Sequence, residues 1–169
     1  MNKFFKDKHK FALGVCNGCQ MLSHLSTIIP GAEHWPTFVT NLSNQFEARL
    51  VYIKINKSKS IFFKGMENSI LPAIVSHGEG RTEFKRKFKK IRPVISYVDF
   101  QNKATNLYPY NPNGSLNGAT GFTNSDGRIT ILMPHPERLS TINQFSWKPD
   151  NWKNSPWLKF FKNAYNYFK

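Results

Sequence analysis

Five residues, Gly14-Val15-Cys16-Asn17-Gly18, constrain the fold of this chain more than any other segment. They follow a short apolar run at residues 11–15, which predicts a buried strand, and they lead into residues 17–25, which predict a helix. Glycines two positions before and two positions after a central residue are typical of a tight turn in which the chain folds back over its own strand. The segment therefore predicts a strand, a sharp turn and a helix, with Cys16 at the turn.

Cys16 and Cys19 are the two cysteines of the chain, and several kinds of chemistry are open to them. A structural zinc site would need two further ligands, and the sequence has no second cluster of cysteine and histidine to supply them. A redox pair is a fair alternative, because a Cys-x-x-Cys motif at a helix start is placed as in thioredoxin-like proteins. Nucleophilic attack by Cys16 also accounts for Gly14 and Gly18, so we favour it and expect Cys19 to be a small packed residue.

A nucleophilic cysteine needs a base, and the base needs a group that orients it. His135 follows the apolar run 129–133, and sites in open α/β sheets form at the carboxyl ends of strands. Prolines on both sides stiffen its backbone, and Glu137 is close enough in sequence to fix its tautomer. We predict Cys16 as nucleophile, His135 as base and Glu137 as orienter, with the backbone N–H of Asn17 as an oxyanion donor.

The rest of the chain alternates between apolar runs and turn signals. Strands are predicted at residues 47–55, 72–76, 94–98, 118–122 and 128–133. The last two flank Asn124-Ser125-Asp126-Gly127, whose Asp-Gly pair is typical of a hairpin. Aromatic residues at spacings of three and four between Trp157 and Phe168 predict an amphipathic helix. We expect one domain of mixed α/β class at residues 11–169, after a charged extension at residues 1–10.

The net charge of +14 invites a nucleic-acid interpretation, but the composition favours a simpler one. Lysines outnumber arginines 18 to 6, beside 17 asparagines and 15 phenylalanines, which is a profile that A/T-rich codons produce. Arginine, the residue best suited to phosphate contacts, is the scarce one. The basic run at residues 85–90 is interpreted as solvated surface. Without a long apolar run or a signal peptide, we expect a cytoplasmic protein with neither a nucleic-acid nor a membrane partner.

The motifs together resemble those of a known family. GVCNGCQ with a late HPE resembles the class I glutamine amidotransferase domain, whose nucleophile turn reads Gly-x-Cys-x-Gly-x-Gln. VSHGEGR at 75–81, NPNGS at 111–115 and MPHPER at 133–138 are similar to the glutaminase domain of the phosphoribosylformylglycinamidine synthase family. Residues 31–50 and 151–164 look most like the C-terminal domain of its long single-chain form. The resemblance runs from about residue 11 and implies a flavodoxin-like three-layer sheet.

The resemblance also implies a reaction. Glutamine would be hydrolysed through a thioester on Cys16, and a synthetase module would use the ammonia with ATP to convert formylglycinamide ribonucleotide to its amidine. Matching to the family places Gln20, His77 and Gly78 on the substrate. No metal or cofactor is expected in this chain, because no glycine-rich phosphate loop is present and ATP and magnesium would belong to the synthetase module.

The chain departs from this family before the nucleophile strand. Only about ten residues precede that strand, where the family has further strands and a loop with a second oxyanion donor. The sequence thus predicts an N-terminally truncated domain with an unpaired strand edge. Two alternatives to a working glutaminase remain open: an inactive remnant that serves as an interaction surface, and a basic nucleic-acid-binding domain.

Overall fold

The computed structural model describes residues 1–84, 92–167 and 169. Along this part of the chain, helices and strands alternate in the order α1 Asn2–Lys6, β1 Ala12–Val15, α2 Asn17–His24, β2 Thr37–Val39, β3 Glu47–Ile55, β4 Ile70–His77, β5 Arg81–Glu83, β6 Ile95–Tyr97, β7 Ala119–Thr123, β8 Ile129–Leu132 and α3 Trp157–Asn166. Short 3₁₀ helices lie at Leu116–Gly118, Pro136–Leu139 and Ile142–Gln144. None of the helices in these ranges is long and apolar enough to cross a membrane.

Six strands form the main sheet in the order β1-β8-β7-β6-β3-β4. β1 pairs with β8 in parallel, and the other neighbours in this sheet are antiparallel. β2 and β5 form a separate antiparallel pair. β7 and β8 form the predicted hairpin, in which Gly127 has a φ of 84° and the N–H of Arg128 donates to Asp126 Oδ1 at 3.1 Å. Within the described residues, β1 therefore has a strand on one side only.

Helices cover both faces of the sheet and give three layers. One face packs with α1 and α2 around a core that includes Phe5, Leu22 and Ile131. The other face packs with α3 around a second core that includes Leu132 and Phe160. Neighbouring residues of β8 enter different cores because successive side chains of a strand point to opposite faces.

The sheet is curled, so that the outer edge of β4 reaches the chain that leaves β8. The N–H of His135 donates to the carbonyl of Ile74 at 2.8 Å, which forms an isolated antiparallel bridge. β3 and β4 are the longest strands of this sheet, with nine and eight residues, and extend beyond the three-residue β6. We call this contact between the β4 edge and the segment after β8 the seam.

Most of the predicted elements are confirmed. The predicted strand at 47–55 is β3, and the other predicted strands lie within one or two residues of β1, β4, β6, β7 and β8. The helix predicted at 17–25 ends at His24, one residue earlier than predicted. The basic run at 85–90 and the end of the aromatic stripe at Phe168 lie outside the described residues.

The segment predicted as an extension is packed onto the domain. Phe5 of α1 is buried in the core beneath α2. Arg128, at the start of β8, donates to the carbonyls of Phe5 at 3.1 Å, of Asp7 at 2.7 Å and of Lys10. The Arg128 side chain thus holds this segment against the sheet.

Candidate active site

Cys16 occupies the predicted turn between β1 and α2. Its φ of 51° and ψ of −110° are strained for a residue with a Cβ, and its N–H donates to Leu132 O at 3.0 Å. Strain of this kind persists where the surrounding structure holds it, and it concentrates at functional sites. A Cβ on Gly14 would lie 2.5 Å from the carbonyl oxygen of Gly18, so Gly14 allows strand and helix to approach closely. A Cβ on Gly18 would meet nothing within 4 Å, so the close approach of strand and helix depends on Gly14.

The Cys16 thiol lies at the seam. Sγ donates to the carbonyl oxygen of Ser76 on β4 at 3.6 Å. Its pKa is lowered chiefly by interaction with the His135 side chain, against the opposing effect of partial burial. The backbone N–H of Asn17 lowers this pKa further, as expected for a donor at a helix N-terminus. The predicted nucleophile and the predicted oxyanion donor are therefore adjacent.

His135 is held from two sides, by its backbone and by its ring. The backbone is fixed by the bridge to Ile74, and Nδ1 lies 2.6 Å from Glu137 Oε1, although the glutamate side chain is 51% exposed. The pKa of His135 is raised, first by interaction with the Cys16 side chain and then, against partial burial, by Glu137. The structure thus places the thiol, the imidazole and the carboxylate of the three predicted residues in one site.

The contact between thiol and imidazole is not yet a hydrogen bond of standard geometry. His135 Nε2 is buried and has no hydrogen-bond partner among the residues described, while the thiol hydrogen is directed to Ser76 O. In each of the two pKa shifts, the other side chain is nevertheless the largest cause. Such bonds are often long or bent without substrate and tighten when it binds.

Cys19 and the histidines show no sign of a metal centre. Cys19 is fully buried in the core beneath α2, and burial raises the pKa of its thiol well above the usual value, as suits a packed residue. Across residues 1–84, 92–167 and 169, no three His, Cys, Asp or Glu side chains lie close enough together to hold a metal ion.

The residues predicted to contact substrate lie on one loop and on the helix beside it. Gln20 of α2 donates from Nε2 to the carbonyl of Glu79 at 2.7 Å. His77 ends β4, and its ring is buried under Gly80, where an added Cβ would fall 2.3 Å from the imidazole. Burial lowers the pKa of His77 to about 4, so the ring is neutral. Any contact from His77 or Gly78 to a ligand would come from the backbone of this loop, residues 77–80.

Sequence reasoning missed the groups that support this loop. Asn41, between β2 and β3, donates from Nδ2 to His77 O at 2.8 Å and accepts from the N–H of Gly80 at 3.0 Å. Asn113 donates from Nδ2 to Gly80 O at 2.7 Å, and Ser115 Oγ accepts from the N–H of Thr82 at 3.0 Å. The NPNGS motif could have indicated a supporting segment, since clustered Asn, Pro and Gly predict turns. Nothing in the sequence marked Asn41.

Comparisons with known proteins agree with this geometry. A family model for the CobB/CobQ-like glutamine amidotransferase domain matches residues 1–168. Among solved structures, PurLQS from Thermotoga maritima is similar at 23% identity with a TM-score of 0.69, over 96% of this chain and 64% of that one. A protein from Thermoplasma acidophilum, described as one of the subunits of GMP synthase, is similar at 14% identity with a TM-score of 0.51, over 98% of this chain and 64% of that one. The chain thus spans a little under two thirds of each of these proteins, and the likeness confirms the class I amidotransferase fold.

Proposed function

The chain belongs to the CobB/CobQ-like glutamine amidotransferase domain family, and we propose that it hydrolyses glutamine at Cys16 to supply ammonia. The observation that carries the proposal is the arrangement of Cys16, His135 and Glu137, with a lowered thiol pKa and a raised imidazole pKa. A thiolate beside an imidazolium is the charge state that acyl transfer to sulfur requires.

The reaction proceeds in two balanced steps. The Cys16 thiolate attacks the side-chain amide carbon, the N–H of Asn17 stabilises the oxyanion, and the His135 imidazolium gives its proton to the departing ammonia. Neutral His135 then takes a proton from water, whose oxygen attacks the thioester carbon. The C–S bond breaks, the thiolate and imidazolium return, and glutamate leaves.

The loop 77–80 supplies a place for the amino-acid end of glutamine. The N–H groups of Gly78 and Glu79 have no acceptor among the described residues, whereas the carbonyls of both are bonded. Two neighbouring free N–H donors suit a carboxylate. Gln20 would contribute by holding Glu79 O, and His77 through its backbone.

The ammonia would serve a synthetase module of phosphoribosylformylglycinamidine synthase, as the sequence motifs indicate. There ATP would transfer its γ-phosphoryl group to the amide oxygen of formylglycinamide ribonucleotide and become ADP. Ammonia would then displace that oxygen, which leaves as phosphate. ATP and magnesium would bind the synthetase module and not this chain. The product would be an intermediate of purine synthesis.

The test is peptide-mapped mass spectrometry after incubation with a γ-glutamyl chloroketone. The thiolate displaces chloride and forms a stable thioether. We expect one adduct, on Cys16, that excess glutamine prevents and that Cys16→Ala abolishes. Cys19 is the internal control, because it is buried.

Labelling of both cysteines without protection by glutamine would contradict the proposal. The chain would then be an inactive remnant of its family, with thiols that react only because they are accessible.

A further inference from the structure

The carbonyls around the loop 77–80 all have donors, and these donors come from three separate parts of the chain: the start of α2, residue 41 and residue 113. Each backbone carbonyl from residue 76 to residue 80 accepts a hydrogen bond from outside β4. The donors, in the order of these carbonyls, are Cys16 Sγ at 3.6 Å, Asn41 Nδ2 at 2.8 Å, Asn41 N at 2.9 Å, Gln20 Nε2 at 2.7 Å and Asn113 Nδ2 at 2.7 Å. Buried carbonyls need partners, and here the partners also determine the path of the loop.

Asn41 makes more of these contacts than any other residue. Its backbone N–H bonds Gly78 O, its Nδ2 bonds the carbonyls of His77 and of Gln45, and its Oδ1 accepts from the N–H of Gly80. The side chain is buried, with 1% of the residue exposed. A carboxamide is required, because the site needs donors and an acceptor on one short side chain.

The bonds of Asn41 leave two loop donors unused. The loop carbonyls are occupied and Gly80 N–H is bound to Asn41 Oδ1, whereas the N–H groups of Gly78 and Glu79 have no acceptor within residues 1–84, 92–167 and 169. These two stand between the residues that Asn41 holds, and the preceding carbonyl, at Ser76, contacts the Cys16 thiol. Their direction relative to the nucleophile is therefore set by Asn41.

We infer that Asn41 is a positioning residue for glutamine: it does not touch the substrate, but it aims the backbone donors of Gly78 and Glu79 at the substrate carboxylate. The inference rests on the proposed glutaminase function. Loss of the Asn41 carboxamide should weaken recognition of glutamine-shaped molecules and leave the intrinsic reactivity of Cys16 unchanged, because the pKa of Cys16 depends on His135 and the Asn17 N–H.

The experiment compares two electrophiles on the full chain. Asn41→Asp keeps the acceptor for Gly80 and removes the donors to His77 O and Gln45 O. We expect the second-order rate of Cys16 labelling by the γ-glutamyl chloroketone to fall about 10- to 100-fold, as for misplaced binding groups. Labelling by iodoacetamide, which has no amino-acid end, should stay within about twofold of wild type.

A matched control is Asn56→Asp. Asn56 also donates two side-chain bonds, to Pro93 O and Ser96 Oγ, but it follows the opposite end of β3 from the loop. The Asn56→Asp protein should be labelled at Cys16 at the wild-type rate by both reagents. If Asn41→Asp does not fold, it is replaced by Asn41→Ser, which keeps a smaller polar group. Folding of each variant is judged by the resistance of Cys19 to iodoacetamide.

The outcomes separate the two proposals. Suppose that glutamine protects wild type. If the Asn41 variant is then labelled more slowly by the chloroketone and by iodoacetamide to the same extent, or if neither rate changes, Asn41 has no positioning role. If glutamine does not protect wild type, the proposed function itself fails. If glutamine protects wild type and the Asn41 variant is labelled more slowly by the chloroketone alone, the result supports both the glutaminase function and the positioning role of Asn41.

Discussion

Cys16 and His135 change each other's protonation, and this is the main chemical property of the site at the residue scale. Their interaction lowers the pKa of the thiol and raises that of the imidazole. Both shifts favour the form of the pair in which the thiol is a thiolate and the imidazole an imidazolium. The fully buried Cys19, three residues away, has its pKa raised instead, because no cation compensates for its burial. Two identical side chains therefore differ through their surroundings.

His135→Ala should raise the pKa of Cys16, because the largest cause of its lowering is removed and burial then dominates. The thiolate fraction at pH 7 falls, so iodoacetamide should alkylate Cys16 more slowly there, and the pH profile should move to higher pH. The measurement is the peptide-mapped alkylation rate between about pH 6 and pH 10. His24→Ala, a change at the exposed end of α2, is the control and should keep the wild-type profile. An unchanged profile for His135→Ala would rule out the proposed pair.

At the scale of elements, the outer edge of β4 assembles the site. Its carbonyls at Ile74 and Ser76 receive the backbone of His135 and the thiol of Cys16. An open strand edge is normally a liability, because its polar groups lack partners. Here the segments that carry Cys16 and His135 occupy that edge, so closing the curled sheet also brings the candidate nucleophile close to its candidate base. The Arg128 side chain plays a similar joining role at the other end of β8.

Arg128→Met should destabilise the domain by about 3 kcal/mol, because three backbone carbonyls lose a charged donor in a mostly buried place. Arg128→Lys keeps the charge with a different donor geometry and should cost less. Urea unfolding measures the change, and limited proteolysis should cut near residues 1–10 first in the Met variant. Equal stability of Met variant and wild type would mean that this segment is held by Phe5 alone.

At the scale of the whole molecule, the C-terminal helix and the central sheet share one core. Phe160 of α3 is fully buried, with ring centroids 5.1 Å from Phe62 and 4.9 Å from Phe63. Trp157 donates from Nε1 to Pro72 O on β4 at 2.8 Å. β4, whose edge receives Cys16 and His135, is thus bonded to the last helix, so the geometry of the candidate site depends on the packing of α3.

Phe160→Ala should cost about 3–5 kcal/mol, as expected for removing a buried aromatic ring. Phe100→Ala is the matched control, because Phe100 is 84% exposed, and it should change stability by less than about 0.5 kcal/mol. Urea unfolding followed by tryptophan fluorescence gives both values. The accessibility of Cys19, which lies in the core on the other face of the sheet, should rise in the same transition. A separate transition would show that the two cores unfold independently.

Local sequence patterns determined much of this protein. The turn at Cys16, the β7–β8 hairpin and the short link from His135 to Glu137 were predictable, because each depends on neighbouring residues and on glycine, proline or strand periodicity. The family motifs predicted the fold class for the same reason: each motif is a compact run of residues.

Only the tertiary structure decided how these pieces meet. Cys16 and Ser76 are 60 positions apart, and Asn41 and His77 are 36 apart. No local pattern specifies such pairs. The pairing of β3 with β4 sets His77 opposite Glu47. This register decides which face of the sheet the His77 ring occupies, and the ring is buried there. The sequence by itself determined the chemical groups and the local turns that present them, whereas the curl of the sheet decided which groups share a site, because contacts between distant segments depend on how the strands pair and bend.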